Sequence, residues 1–294
     1  MRFTTQWVST MNNKTSKKEA IRVIAVASGK GGVGKTNLAV NLSMAMSDLG
    51  KEVTLFDADL GLANVDVLLG LHPLRNLSHV MQQECDLKDI VIRGPGDIHV
   101  VPAASGVKMM SRMSDLQHAA LIRAFDELVN ITDVLVIDTS AGLVSSVLSF
   151  CAAAQEVLVV VCNEPASIAD AYALIKVLHR EYQVRRFRVV VNMADTREEG
   201  HKLFRRLVQV CDNYLNVVLD LSGIIPRDRN IIKAVQCQQP ILQRFPSSPA
   251  SEEIRKIARL VNKWPLPVKA HGKMEFFLEQ LLESRAQEQA RASI

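Results

Sequence analysis

From residue 21 onward, two hydrophobic periods alternate along the chain. Nearly unbroken runs of Val, Ile and Leu fit strands buried on both faces of a parallel sheet. Such runs lie at 21–28, 52–59, 98–103, 133–139, 156–162, 187–193 and 217–226. Between them apolar residues recur three and four apart, as on helices laid against that sheet. The segments 36–50, closing on Gly50 where a left-handed cap fits, and 251–262 are the plainest of these. This order of elements predicts an α/β fold, a doubly wound, mostly parallel sheet with helices on both faces.

The pattern changes at both ends. Residues 1–20 are rich in Ser, Thr, Asn and Lys and read as a flexible polar leader, so the sheet domain is expected at 21–263. Two prolines and a glycine make 264–272 a connector. Beyond it, 273–294 is expected to hold an amphipathic helix, with Met274, Phe277, Leu278, Leu281 and Leu282 on one stripe and Phe276 at its flank. That stripe suits either a lipid headgroup layer or the domain's own surface, and Glu275, Glu279 and Glu283 leave the helix poor in positive charge.

Composition narrows the function classes. A chain of 294 residues with 48% hydrophobic and 22% charged residues can bury a sizeable core, and its net charge of +4 is too small to announce nucleic-acid binding. No run approaches the ~20 apolar residues that span a bilayer, and the polar opening is no signal peptide. Cys85, Cys151, Cys162, Cys211 and Cys237 are too scattered for a zinc or iron-sulfur site, which argues against a metal-cluster carrier and fits a reducing cytoplasm.

The chemistry-bearing motif is SGKGGVGKTN, residues 28–37, placed between the first predicted strand and the first helix. That context is what a phosphate-binding loop requires. Gly29, Gly31, Gly32 and Gly34 let backbone amides curl around an anion, with Val33 and Asn37 completing the contact set. The helix that follows turns its positive end to the same anion. Lys35 is expected to reach the β- and γ-phosphates, and the Thr36 hydroxyl to ligate a bridging Mg²⁺. Asp57, Asp59 and Asp138 fall at predicted strand ends, where open α/β sheets bind ligands. Asn192 stands at another strand end, and its amide suits both edges of adenine, favouring ATP over GTP.

With Lys30 early in the loop, GKGGVGKT resembles the deviant Walker A ATPases that include MinD and ParA. The resemblance implies a slow ATPase that is monomeric without ATP and a homodimer with it. In that family Lys30 would cross to the partner's nucleotide, with Glu164, in the segment CNEPASIADAY, near the same place. Asp59 would orient the attacking water, Asp57 would support the Mg²⁺ shell, and Asn64 and Asp66 would belong to the switch and dimer surface. Asp138 would hold Mg²⁺ through water, and the Gly142 amide would approach the γ-phosphate. Pro226 and Asp228 would join Asn192 at the adenine.

Within the family, DADLGLANVDVLLGL, VPAASG, EPASIADAYALIK and the WPLP-plus-FF ending look most like the flagellar number regulators of the FlhG (FleN) type. That resemblance implies as partners an FlhF-type GTPase, a flagellar transcription activator, basal-body proteins and an anionic membrane surface reached by the terminal helix. It also implies a cytoplasmic protein with ATP-dependent peripheral association with the inner face of the cell membrane. Many relatives carry a DQAxxLR segment that stimulates the GTPase, and residues 1–20 do not reproduce it. The arginines at 185, 186 and 188 are expected to offer a partner surface. An alternative is a ParA-like partitioning ATPase that holds nonspecific DNA on basic patches such as 185–188 and 205–206, no sequence-specific DNA being expected; another is a divergent paralogue positioning a different polar machine.

Overall fold

The computed structural model of the chain describes residues 21–59, 64–82, 84–102, 128 and 132–265. Eight strands form one sheet: β1 (Arg22–Ser28), β2 (Val53–Ala58), β3 (Ile92–Arg93), β4 (His99–Val101), β5 (Val134–Ala141), β6 (Glu156–Cys162), β7 (Arg186–Ala194) and β8 (Val218–Pro226). Their order is β3-β4-β2-β5-β1-β6-β7-β8, parallel throughout except where β3 runs against β4. All seven residues of β1 are buried, as the middle strand of a doubly covered sheet must be. The two residues of β3 are too few to show a period, which is why the hydrophobic pattern does not reveal them.

The described helices are α1 (Lys35–Ser47), α2 (Val65–Leu69), α3 (Leu77–Met81), α4 (Ser145–Ala153), α5 (Pro165–Tyr182), α6 (Arg197–Tyr214), α7 (Arg229–Gln236), α8 (Ile241–Arg244) and α9 (Pro249–Asn262). Alternation along β1 divides the core. Ile24 and Val26 face α1, α8, α9 and Trp264, while Ala25 and Ala27 face α4, α5 and α6. Helix α1 is buried all round from Leu38 to Met46. Its buried Asn41 is satisfied by donating to the Asn37 carbonyl at 2.8 Å and accepting the Leu242 N–H at 3.1 Å, which ties α1 to α8. Gly50 does adopt a left-handed conformation, φ 77°, just beyond α1.

One polar cluster lies inside the α9 face, at the amino ends of the strands. Arg188 and Asp220 are register partners on β7 and β8, and Arg188 Nη1 donates to Asp220 at 2.8 Å. Its Nε donates to Glu156 of β6 at 2.9 Å, and its guanidinium lies 4.4 Å from the Trp264 ring centre. Arg22 donates to the Trp264 carbonyl at 2.6 Å. Burial pulls the Arg22 guanidinium below its ordinary value, opposed by Glu156 and reinforced by Arg188. Of the three arginines expected to offer a partner surface, Arg188 is inward and committed, whereas Arg185 and Arg186 are exposed, Arg186 standing 3.6 Å from Asp220. The leader at 1–20, most of the connector and the terminal helix lie outside the described residues.

Candidate nucleotide-binding site

The loop of residues 29–34 leaves the carboxyl end of β1, whose neighbours β5 and β6 lie to either side, and it delivers the chain into α1. This is the crevice where doubly wound sheets take ligands. A cavity of about 470 Å³ opens there, lined by Lys30 through Asn37, with Ser28, Asp59, Asn64 and Ala141 on the near side. The four glycines do different things. Gly31 and Gly32 face open space, and Gly32 (φ 78°) and Gly34 (φ 85°) adopt left-handed backbone. A Cβ on Gly29 would fall on the main chain of Asp170 in α5, so this glycine lets the loop lie against a helix. A Cβ on Gly34 would fall on the Asn192 amide.

Two carboxylates sit side by side behind the loop, Asp57 of β2 and Asp138 of β5 being register partners. Asp138 is fully buried, and neither of its oxygens has a hydrogen-bond partner, although the Lys35 ammonium stands 3.7 Å from Oδ1. Burial pushes its carboxyl up to about 6, against the pull of Lys35. Two unused buried acceptors near a Thr hydroxyl and a lysine fit a Mg²⁺ ion that keeps its waters. Asp57 does other work. It accepts the backbone N–H groups of Asp59 at 3.0 Å and of Asn64 and Val65 at 3.2 Å each, so its oxygens are engaged by the end of β2 and the start of α2, and it does not line the cavity. Burial, with Asp138 alongside, raises its carboxyl to about 7. Asn64 Nδ2 donates to Asp59 Oδ2 at 3.3 Å, orienting that carboxylate on the cavity wall.

At the exposed rim Lys30 pairs with Glu164, the residue before Pro165 at the start of α5, and this partner raises the Lys30 ammonium above its ordinary value. Nearby, Asn163 donates to Glu199, and Arg227 donates to Asp195 at 2.7 Å. The Ser167 hydroxyl, in the first turn of α5, accepts the Cys162 N–H at 3.1 Å. The Gly142 N–H donates to the Ser28 carbonyl at 3.0 Å, so approaching a phosphate would require that bond to open.

The base side differs from expectation. Asp228 caps α7 by accepting the Asn230 N–H at 2.9 Å and also accepts the Ala250 N–H at 3.3 Å. Asn192 is buried beneath the loop, and neither it nor Pro226 lines the cavity. The wall is made by Met193 and by Ile231, Ile232, Val235 and Gln236 of α7. Ile232 and Val235 are large apolar residues that α7 leaves exposed, and it is the fold, not the sequence, that shows them so.

Residues 19–262 match a family profile described as "ParA: NUBPL iron-transfer P-loop NTPase". The chain belongs to this ParA/MinD family of P-loop ATPases. It is an ATPase whose cofactors are ATP and Mg²⁺. The chain is 53% identical over 266 residues to the antiactivator FleN of Pseudomonas aeruginosa, covering 90% of this chain and 95% of that one. It is 32% identical to the flagellum site-determining protein YlxH of Helicobacter pylori, covering 85% and 87%. Among solved structures, MinD in the MinC:MinD cell division complex of Aquifex aeolicus superposes with a TM-score of 0.67 at 26% identity, covering 85% of this chain and all of that one. Among the described residues no group of three His, Cys, Asp or Glu side chains gathers as a metal site, and the five cysteines are unpaired. Nor is any described helix long and apolar enough to cross a membrane.

Proposed function

We propose that this ATPase is a dimerising switch that regulates flagellar number or placement. The observation that carries the reading is the position of Lys30. It lines the mouth of the phosphate cavity, yet its ammonium lies at the exposed rim, where a second copy could meet it. On this reading Lys30 exchanges Glu164 for the partner's phosphates and supplies charge there, as an arginine finger does. Bound Mg²⁺ would supply charge neutralisation for the phosphate chain. Thr36 and Asp138 would hold it, Asp138 through water. Lys35 neutralises the phosphate chain, and Asp59, steadied by Asn64, takes the proton side of the attacking water. Ile231, Ile232 and Val235 stack against the base.

The antiactivator relative supports a flagellar transcription activator as one partner, and the site-determining relative supports a role in placement. The domain plan that goes with this is a leader at 1–20, the ATPase domain at 21–263, a connector at 264–272 and an amphipathic helix and tail at 273–294. Sedimentation velocity of the full chain with Mg²⁺ tests the switch: a dimer with a nonhydrolysable ATP analogue and a monomer with ADP are expected. A monomer under both conditions would end the proposal. Liposome cosedimentation of the full chain and of one ending at Gly272 tests the helix separately.

A further inference from the structure

The lysine on which the proposed switch depends stands between two glycines. Gly29 precedes Lys30 and Gly31 follows it, and neither has a side chain to limit rotation of the backbone. Gly29 is held by its fit against the main chain of Asp170 in α5, whereas a Cβ on Gly31 would meet open space. The ion pair with Glu164 gives little further restraint, because the two side chains are 39% and 55% exposed and water screens their attraction. The direction of Lys30 therefore rests on what holds its peptide group.

That hold is a hydroxyl. Ser28 Oγ donates to the Lys30 carbonyl at 2.8 Å. In a planar trans peptide the C=O and the next N–H point opposite ways, so fixing the Lys30 carbonyl also fixes the Gly31 N–H. Ser28 is itself well anchored, as the fully buried last residue of β1. Its carbonyl accepts the Gly142 N–H at 3.0 Å. Just before it the ladder slips, with Val26 opposite Asp138 but Ser28 opposite Ala141, which leaves one extra residue on β5. The Thr139 hydroxyl closes that gap by donating to the Val26 carbonyl at 3.0 Å.

Ser28 also lines the phosphate cavity, where a serine hydroxyl could donate to an anion. A hydroxyl has one proton, however, and this one is committed to Lys30. What remains toward the cavity is lone pairs, which repel a phosphate.

We propose that Ser28 is a positioning residue for Lys30, aiming the lysine out of its own cavity and toward the nucleotide of a second copy. The proposal rests on the dimerising reading above. On it, Lys30 gives up Glu164 when the partner arrives, while the bond from Ser28 stays and keeps the lysine directed.

The test uses the full chain with Ser28→Ala, which removes the hydroxyl, and Ser28→Thr, which keeps it. Order parameters from ¹⁵N relaxation without nucleotide read the tie directly. The Gly31 amide should stay near ~0.85 in the unmodified chain and the Thr variant and fall below about 0.6 in the Ala variant. Sedimentation velocity with Mg²⁺ and a nonhydrolysable ATP analogue reads the consequence. One lost hydrogen bond is about fivefold, and a dimer uses two lysines, so the Ala variant should dimerise about 25-fold more weakly. Its affinity for Mg-ADP by calorimetry should stay within about twofold, as for a site that does not couple to the change.

An ordered Gly31 amide in the Ala variant, or equal losses of dimerisation in both variants, overturns the proposal. So does a loss of ADP affinity that matches the loss of dimerisation, which would make Ser28 a ligand of the phosphates. A monomeric unmodified chain would overturn the dimerising reading and this role together, whereas an unmodified dimer that the Ala variant forms equally well overturns the role alone.

Discussion

Replacing Arg188 with Met keeps most of the side-chain volume and removes the charge, which isolates the polar cluster at the amino ends of the strands. The Arg188 side chain is 9% exposed, its partner Glu156 is 13% exposed and Asp220 is 39% exposed. Asp220 can rehydrate in place, so its loss is discounted. Glu156 cannot, and breaking a buried pair from one side costs about 3–5 kcal/mol because a charge is left uncompensated. Arg22, already drawn to Glu156, partly replaces the lost partner, which places the cost near the lower end, about 3 kcal/mol. At roughly 2–4 °C per kcal/mol for a domain of this size, the melting temperature should fall by about 6–12 °C. ATP turnover per folded molecule should stay within about twofold, because the phosphate loop lies at the opposite ends of the strands. Urea unfolding followed by circular dichroism supplies the free energy, and Arg188→Lys should lie between the two. A loss below about 1 kcal/mol would show that the cluster is hydrated, and the account of a buried pair would fail.

Three further outcomes follow from the site. Glu164→Gln should let Lys30 leave its rim position more readily and bring ATP-dependent dimerisation to lower protein concentration in sedimentation; weaker dimerisation would mean that Glu164 helps the dimer instead of restraining the free chain. Asp59→Ala should keep ATP binding, abolish turnover and accumulate the ATP-bound dimer, and normal phosphate release would remove Asp59 from the chemistry. Asp57 and Asp138 titrate near 7 and near 6 in the folded chain against an ordinary value of 3.8, so the native state holds extra protons between about 4 and 7. Their contribution to stability should therefore fall as pH rises through that window, and Asp57→Asn should flatten the fall in unliganded melting curves; an unchanged slope would refute the raised Asp57 value.

What the sequence made readable was local. The loop lies between an apolar strand and a helix, and a motif with its context needs no distant partner to be recognised. The strands read well because double burial leaves unbroken apolar runs. The structure adds what residue identity alone does not reveal, namely which groups each polar side chain meets. Arg185, Arg186 and Arg188 look like one surface run, but Arg188 alone is buried, claimed by Glu156 and Asp220, each 32 residues away. Asp228 was expected at the base and is a helix cap, because a capping carboxylate and a base-binding one have the same sequence. Asp57 was expected at the metal, yet three main-chain amides claim it, and backbone donors leave no trace in residue identity.

Strand β1 joins two fixed points. At one end Arg22 grips the carbonyl of Trp264, and at the other the backbone turns into the phosphate loop. Seven residues of extended backbone separate them, a rod of roughly 23 Å with almost no give. One short piece of backbone thus carries both the contact that seats Trp264 against the sheet and the turn that opens the phosphate cradle.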